Sequence, residues 1–329
     1  MMGLLLSAVW LMAGCSVIDD DLTDCGSDYR MDYELKLVTN LTTELQTLRT
    51  TETEFTVADA LEEQLKDIFT DMAHDVDLLF YDNEGKLPLL HHDQHTMEAS
   101  QKTYTIYLPV RGYRHLAIAN IKDDPSVTLE DNDHCTTAVL RHTGTPADDG
   151  SIAPLTTGIF TAREDMDVLE GVDQTFNVRM YMANCGAALI IDPNGQSFRD
   201  IRVYATGFAT EFHVSDSTYI FADPDPLIRT TEVATGNEKL CFLTVNFPSR
   251  PLDEENPDKS LWQFKAYVTR DDGSVTETII DVREPLQAGE FKIIKCKLDD
   301  DCAVRPHDST VGVSVTLDWN SAGEYNPEL

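Results

Sequence analysis

Basic residues are scarce in this sequence. Its 329 residues include 25 lysines and arginines against 58 aspartates and glutamates, which gives a net charge of -33. A surface this acidic repels nucleic acid and anionic lipid headgroups over about a Debye length. The charge balance therefore excludes nucleic acid as a partner, whereas high solubility, cations or basic partners remain compatible with it.

The short motifs of easily recognised enzyme classes are also missing. The sequence has no G-x-S-x-G elbow, no P-loop, no H-E-x-x-H helix and no dinucleotide-binding glycine pattern. Among 58 acidic residues, paired carboxylates arise by chance, so no glycosidase pair can be nominated. No catalytic residue and no cofactor are therefore indicated.

Candidate metal ligands occur without the spacing of a recognised site. His91, His92 and His95 are close enough in sequence to converge on a transition metal, although such a run is more typical of a solvated hairpin loop. The aspartate-rich segments 131–133, 223–225 and 299–301 lack the glycine and closing glutamate of a calcium loop. No C-x-x-C spacing indicates zinc, and we predict no metal site.

Long apolar runs are absent beyond the N-terminus. The first fourteen residues are uncharged, mostly apolar, and end in Ala13 and Gly14 before Cys15, which resembles a bacterial lipoprotein signal. We predict cleavage between Gly14 and Cys15 and lipidation of Cys15, whose several acyl chains would hold the protein on a membrane. The alternative is an ordinary cleaved signal or an N-terminal core segment with a chance cysteine. No Lys or Arg precedes Leu4, although a signal normally begins with positive charge, so the initiation site stays open.

An acidic segment follows the predicted anchor. Asp19, Asp20 and Asp21 cannot attract anionic lipids. They resemble the acidic signal that sends lipoproteins of Bacteroidota to the outer face of the outer membrane, and the alternative is a solvated acidic linker. We assign residues 1–14 to the signal peptide and residues 15–28 to a lipidated tether.

Six further cysteines permit up to three disulfides in an oxidising compartment, with pairings that the sequence does not resolve. Those inside apolar strands are equally compatible with buried free thiols. The six residues are Cys25, Cys135, Cys185, Cys241, Cys296 and Cys302.

Residues 29–171 are predicted to form an N-terminal β-sandwich with one amphipathic helix. Apolar and polar residues alternate from Tyr29 to Leu37, and further strands are predicted at 76–81, 104–110 and 116–121. Apolar residues at helical spacing predict a helix from Val57 to Met72. The segments 39–56, 123–133 and 143–150 are predicted to be loops, and 159–170 shows little strand signal.

Residues 172–329 are predicted to form a second β-sandwich, because strand signals and turns alternate without a long helix. The eight predicted strands are 176–182, 187–191, 201–205, 240–247, 262–269, 276–282, 291–298 and 311–319. Trp262 and Trp319 lie in these strands, where tryptophan more often packs in a core than stacks on a sugar.

The order of these features resembles the FimB-type fimbrial anchor lipoproteins of Bacteroidales. The resemblance rests on the lipobox cysteine, Leu22-Thr23-Asp24-Cys25, the helix leading into Asp75-Val76-Asp77-Leu78-Leu79-Phe80-Tyr81-Asp82, and the ending Leu317-Asp318-Trp319-Asn320. It implies two transthyretin-like sandwiches, no enzymatic activity, and a role as the outer-membrane anchor or minor subunit of a fimbria. The implied partners are fimbrillin subunits and, through lipid on Cys15, the outer membrane.

The resemblance also implies a joining mechanism, in which a strand of one subunit completes the sheet of another. The C-terminal segment is the candidate strand, since Val311, Val313, Val315, Leu317 and Trp319 alternate with smaller or polar residues. The alternative is that this segment is simply the last core strand of its own domain. As an alternative function, the chain would be a surface glycan-binding lipoprotein.

Overall fold

The described strands of this chain form four sheets, and one long helix is described beside them. A computed structural model describes residues 28–38, 42–43, 45–48, 51–69, 73–97, 103–122, 124–144, 146–253, 255–256, 259–307 and 311–319. Among these residues, no helix is long and apolar enough to cross a membrane. The predicted mainly β fold is confirmed.

The first half of the chain contains ten strands and two helices. The strands are β1 (Tyr29–Val38), β2 (Thr42–Thr43), β3 (Asp75–Asp82), β4 (His91–Thr96), β5 (Thr103–Leu108), β6 (Gly112–Ala119), β7 (Val127–Glu130), β8 (Val139–His142), β9 (Phe160–Asp167) and β10 (Gln174–Met182). The helices are α1 (Leu45–Leu48) and α2 (Glu52–Ile68).

The second half contains twelve strands. They are β11 (Cys185–Asp192), β12 (Asp200–Thr206), β13 (Glu211–His213), β14 (Thr218–Ile220), β15 (Ile228–Arg229), β16 (Thr231–Glu232), β17 (Leu240–Asn246), β18 (Trp262–Thr269), β19 (Val275–Val282), β20 (Glu290–Leu298), β21 (Val304–Pro306) and β22 (Gly312–Trp319).

A seven-stranded sheet organises the first half, in the order β4-β3-β6-β9-β10-β1-β5. The prediction of little strand structure at 159–170 is wrong, because β9 pairs with β6 along its whole length. The loop predicted at 123–133 is also partly wrong, since β7 lies within it and pairs with β8. Tertiary pairing stabilises these polar strands where their own composition does not.

Helix α2 begins earlier than its apolar spacing predicts. Thr51 is its N-cap, and the Thr51 hydroxyl accepts a hydrogen bond from the Glu54 amide at 3.2 Å. Glu54 also pairs with Lys295 of β20 at 3.0 Å. The loop predicted at 39–56 is therefore wrong in part, because it contains β2, α1 and the first turn of α2. A polar first turn with a good N-cap explains the early start.

A central sheet with the order β16-β17-β11-β20-β2 lies between two hydrophobic cores, and β21 extends it beside β20. Along β11, Leu189 and Ile191 face one core, and Ala188 and Ile190 face the other, which includes the side of α2. Strands buried on both faces have near-continuous apolar sequences, as β11 does. The core that contains Leu189 and Ile191 lies between the central sheet and the five-stranded sheet β15-β12-β18-β19-β22, so these two sheets form a sandwich.

Two features connect the halves of the chain. Strand β10 pairs with β1 and β9, so the chain passes from the first sheet to the central sheet between Met182 and Cys185. In the four-stranded sheet β14-β13-β8-β7, two strands from each half are joined. The domain boundary at residue 171 stays a prediction, and hydrogen bonding assigns β10 to the first sheet.

All five described cysteines are buried free thiols, namely Cys135, Cys185, Cys241, Cys296 and Cys302. Burial raises the pKa of the Cys241 thiol to about 12 and also raises the pKa of the Cys185 thiol. The sequence is compatible with disulfides or with free thiols, and these five cysteines are free thiols. Cys25 lies outside the described residues.

Candidate functional site: the C-terminal edge strand

The predicted anchor and export signal lie outside the part of the chain that the structure describes. This applies to Gly14 and Cys15, where cleavage and lipidation are predicted, and to Asp19, Asp20 and Asp21. They stay predictions. The predicted strand-exchange segment, by contrast, is largely described.

Strand β22 is the last strand of the five-stranded sheet. It runs antiparallel to β19, with Val313 opposite Ile280 and Val315 opposite Thr278, and Trp319 is opposite Val275 beyond a register shift. Alternating valines favour this extended conformation because branched side chains fit a pleated surface. Within the described residues no strand pairs with the other edge of β22. In the described part of the chain, β22 is thus an edge strand with one unpaired row of backbone groups.

The inner face of β22 is less covered than the inner face of its neighbour. Ile280 and Thr278 of β19 are fully buried, whereas Val313 and Val315 directly opposite them remain partly exposed. Val311, which lies just before the strand, packs against the sandwich core. The sandwich therefore covers β19 completely and β22 only in part.

Hydrogen bonds hold the segment 301–304 over the inner face of β19. The Val304 amide of β21 donates to the Thr278 hydroxyl at 3.0 Å, and the Thr276 hydroxyl donates to the Asp301 carbonyl at 2.9 Å. Both bonds join the segment 301–304 to β19, and neither involves β22.

The outer face of the same edge is polar. Ser314 and Thr316 are exposed, and on β19 the carboxylates of Asp281 and Glu277 accept hydrogen bonds from Gln263 and Tyr267. One face of β22 is thus apolar and the other polar, which is the pattern of a strand with one face directed at a core.

The histidine run has a different place from the predicted one. His91, His92 and His95 lie on β4, an edge strand, so the hairpin-loop interpretation is wrong. His92 Nε2 is 2.9 Å from Asp77 Oδ1. Among the described residues no cluster of three or more His, Cys, Asp or Glu side chains is arranged to hold a metal.

Comparison with known families gives the identity of the fold. The family of Fimbrillin-A associated anchor proteins Mfa1 and Mfa2 matches residues 43–218. The chain belongs to this family. Because the family consists of fimbrial anchor proteins, membership associates the chain with fimbriae and the cell surface, and it confirms the predicted resemblance.

Several solved structures are similar to this chain at low sequence identity. A candidate adhesin from Bacteroides thetaiotaomicron aligns with a TM-score of 0.52 and 9% identity, over 87% of this chain and 97% of that chain. A candidate cell adhesion protein from Bacteroides eggerthii aligns with a TM-score of 0.50 and 13% identity, over 89% and 97%. The fimbrial anchor protein Mfa2 from Porphyromonas gingivalis aligns with a TM-score of 0.46 and 13% identity, over 88% and 98%.

No curated protein matches the chain in sequence. The matched family consists of fimbrial anchor proteins rather than enzymes, so this member of the family is a structural protein. The sequence-based prediction of no enzymatic activity is confirmed.

Proposed function

We propose that this anchor-family protein is a non-catalytic subunit that tethers a fimbria to the outer membrane. Lipid on Cys15 holds it at the membrane, Asp19, Asp20 and Asp21 direct it to the outer face, and a fimbrillin joins it by β-strand addition at β22.

The observation that carries the joining step is the partly exposed inner face of an edge strand. Val313 and Val315 occupy inward positions, yet they keep exposure that their neighbours on β19 lack. A strand added beside β22 would gain backbone hydrogen bonds and bury this apolar surface. Strand addition would therefore be favoured twice, by pairing of the free backbone edge and by burial of the exposed valine surface.

Strand addition has two forms that a disulfide lock distinguishes. In one form a fimbrillin strand pairs with the free edge of β22, and in the other β22 leaves β19 and enters the fimbrillin. Ser314 and Ile279 are directly opposite each other, which favours a cross-strand disulfide after substitution of both by cysteine. The five described native thiols are buried, so they react slowly under mild oxidation.

We expect the oxidised Ser314→Cys, Ile279→Cys protein to bind fimbrillin as well as its reduced form, because the free edge of β22 is unchanged by the lock. Binding only after reduction would show that β22 is itself donated. Equal absence of binding by the wild-type protein and both forms would contradict strand addition at this site.

A pair of charge substitutions tests the inner face. Val313→Asp places a carboxylate on the apolar face, whereas Ser314→Asp places the same charge on the exposed face of the next residue. We expect loss of fimbrillin co-purification with Val313→Asp and retention with Ser314→Asp, with thermal unfolding showing that both proteins remain folded. Retention with both variants would exclude the valine face from the contact.

Membrane attachment is tested by isolating outer membranes in mild detergent from wild-type and Cys15→Ala cells. We expect a ladder of fimbrillin polymer that stays with the membrane only when Cys15 is intact. A lone monomer in both samples would refute the anchor function.

Replacement of Asp19, Asp20 and Asp21 by asparagine should leave the protein lipidated but reduce its digestion by external protease on whole cells.

A further inference from the structure

A cavity of about 310 Å³ lies between the first sheet and the four-stranded sheet. Strands β3 and β4 form one wall, and β7 forms the other. Its volume is at the lower end of the ~300–1,000 Å³ typical of small-molecule sites. We call this space the β3–β7 cavity, and nothing in the proposed anchor function uses it.

Two buried carboxylates line the wall that β3 provides. Asp75 and Asp77 lie on the same face of the strand and are only 4% and 5% exposed. Asp75 Oδ1 accepts hydrogen bonds from the amides of Ile121 and Lys122, each at 3.2 Å. Carboxylates are rarely buried in the wall of a cavity without such partners, because loss of hydration is costly.

Asp77 is the side chain that points to a ligand. Within the described residues its hydrogen bonds all go to one oxygen, Oδ1, which accepts from Gln94 Nε2 at 2.6 Å and lies 2.9 Å from His92 Nε2. The second oxygen, Oδ2, is left to accept from a molecule in the cavity. The neighbours hold Asp77 in place, so its geometry is fixed before a ligand arrives.

The rest of the lining selects the class of ligand. Asn132 supplies an amide that both donates and accepts hydrogen bonds, and Val127 and Leu129 add apolar surface. The Thr128 hydroxyl donates to the Glu130 carboxylate at 3.0 Å, so it offers its lone pairs as acceptors. The two aspartates disfavour an anion, and the ammonium of Lys122, which is 3.2 Å from the Thr96 hydroxyl, offsets part of their charge. Hydroxyl groups on a carbon ring match this mixture because they donate, accept and present apolar C–H faces.

We propose that the β3–β7 cavity binds a neutral mono- or disaccharide, with a sugar hydroxyl donating to Asp77. This function is additional to fimbrial anchoring and independent of strand β22. A surface subunit with such a site would contact glycans while it holds the fimbria.

The test uses the full-length mature protein and a panel of glucose, galactose, mannose, N-acetylglucosamine, lactose and cellobiose. Saturation-transfer NMR identifies which sugar binds, and titration calorimetry then gives the affinity. Asp77→Asn keeps the size of the side chain but removes its charge, so we expect roughly tenfold weaker binding, since hydrogen bonds to charged groups are the stronger ones. Asp93→Asn on β4 is the matched control, because Asp93 is not part of the lining, and it should bind like the wild type.

A second variant avoids the buried network. Thr128 is exposed at the cavity, and Thr128→Trp should fill the space and abolish binding without loss of thermal stability. Absence of saturation transfer from every sugar would overturn the proposal, as would equal affinity of wild type, Asp77→Asn and Thr128→Trp. Binding of spermidine in place of the sugars would also overturn it, because it would identify the cavity as a cation site.

Discussion

Acid is expected to destabilise this protein through one buried histidine. His115 of β6 is fully buried, and its ring stacks on Phe80 with 4.4 Å between the ring centroids. The Leu79 carbonyl can only accept, so His115 Nδ1 donates to it at 3.0 Å. His115 Nε2 then accepts from the Tyr33 hydroxyl of β1. The neutral ring satisfies both contacts, whereas a protonated ring would present a second donor to a buried hydroxyl.

The size of the effect follows from the pKa of His115. Burial lowers this pKa from 6.5 to about 4, although the hydrogen bond to the Leu79 carbonyl acts in the opposite direction. The unfolded chain therefore binds a proton at a higher pH than the folded chain does. Between these two values the unfolded state holds more protons, so the free energy of unfolding falls as the pH falls. The difference between them corresponds to about 3 kcal/mol, present above pH ~6.5 and lost by pH ~4.

Urea unfolding of wild type and His115→Gln between pH ~7 and ~4 measures this contribution. At neutral pH the variant should be less stable by about 1–3 kcal/mol, because it disturbs a buried hydrogen-bonded site. Its further loss on acidification should be about 3 kcal/mol smaller than that of the wild type. The many exposed carboxylates titrate in both proteins and cancel in the difference.

Tyr33→Phe serves as the control, since it removes the hydroxyl partner but leaves a titrating histidine. Its stability should fall with pH as steeply as that of the wild type. Equal pH dependence of wild type and His115→Gln would refute the assignment of acid sensitivity to His115.

Substitutions at three further sites test core packing, backbone strain and helix capping by thermal and urea unfolding. Gly186→Ala should cost about 1–3 kcal/mol, because its Cβ would lie 2.7 Å from the buried Phe291 ring; wild-type stability would show that the ring has room to move. Gly207→Ala should cost more than about 2 kcal/mol, because Gly207 has a φ of +91° and its Cβ would lie 2.6 Å from a backbone carbonyl oxygen. Thr51→Ala should cost about 1 kcal/mol through loss of the helix N-cap, and Thr51→Ser should restore most of it; equal stability of the two variants would contradict the capping role.

The sequence predicts strands well where side chains alternate or where apolar runs are continuous. Strands β11, β17 and β20 have their predicted places because one or both faces are buried, and burial leaves a pattern in the residues. Strands β4 and β9 show no such pattern, because their residues are mostly charged or polar. Their conformation is set by pairing with β3 and β6, and such non-local pairing leaves no local signal.

The start of α2 can be predicted from the sequence, whereas the lining of the β3–β7 cavity can be predicted only in part. Thr51 and Glu54 form a recognisable N-cap pattern, so the sequence carries a helix-start signal six residues before Val57, where the apolar spacing begins. Asp75 and Asp77 also carry a signal, since β3 is buried along its whole length and yet contains three aspartates, which is unusual. What they line depends on β7, which lies fifty residues further along the chain, and no spacing reveals that contact.

The function of β22 is undetermined by sequence for a physical reason. Alternating valines indicate that one face of a strand meets a core, but the alternation is the same whether that core belongs to its own domain or to a partner. The fold resolves half of this ambiguity, because β22 pairs with β19 while its inner face is only partly covered. An edge strand with spare apolar surface is an aggregation hazard unless something covers it. A fimbrillin strand is the cover that we propose for this edge, and the disulfide lock between β22 and β19 tests which of the two subunits provides the moving strand.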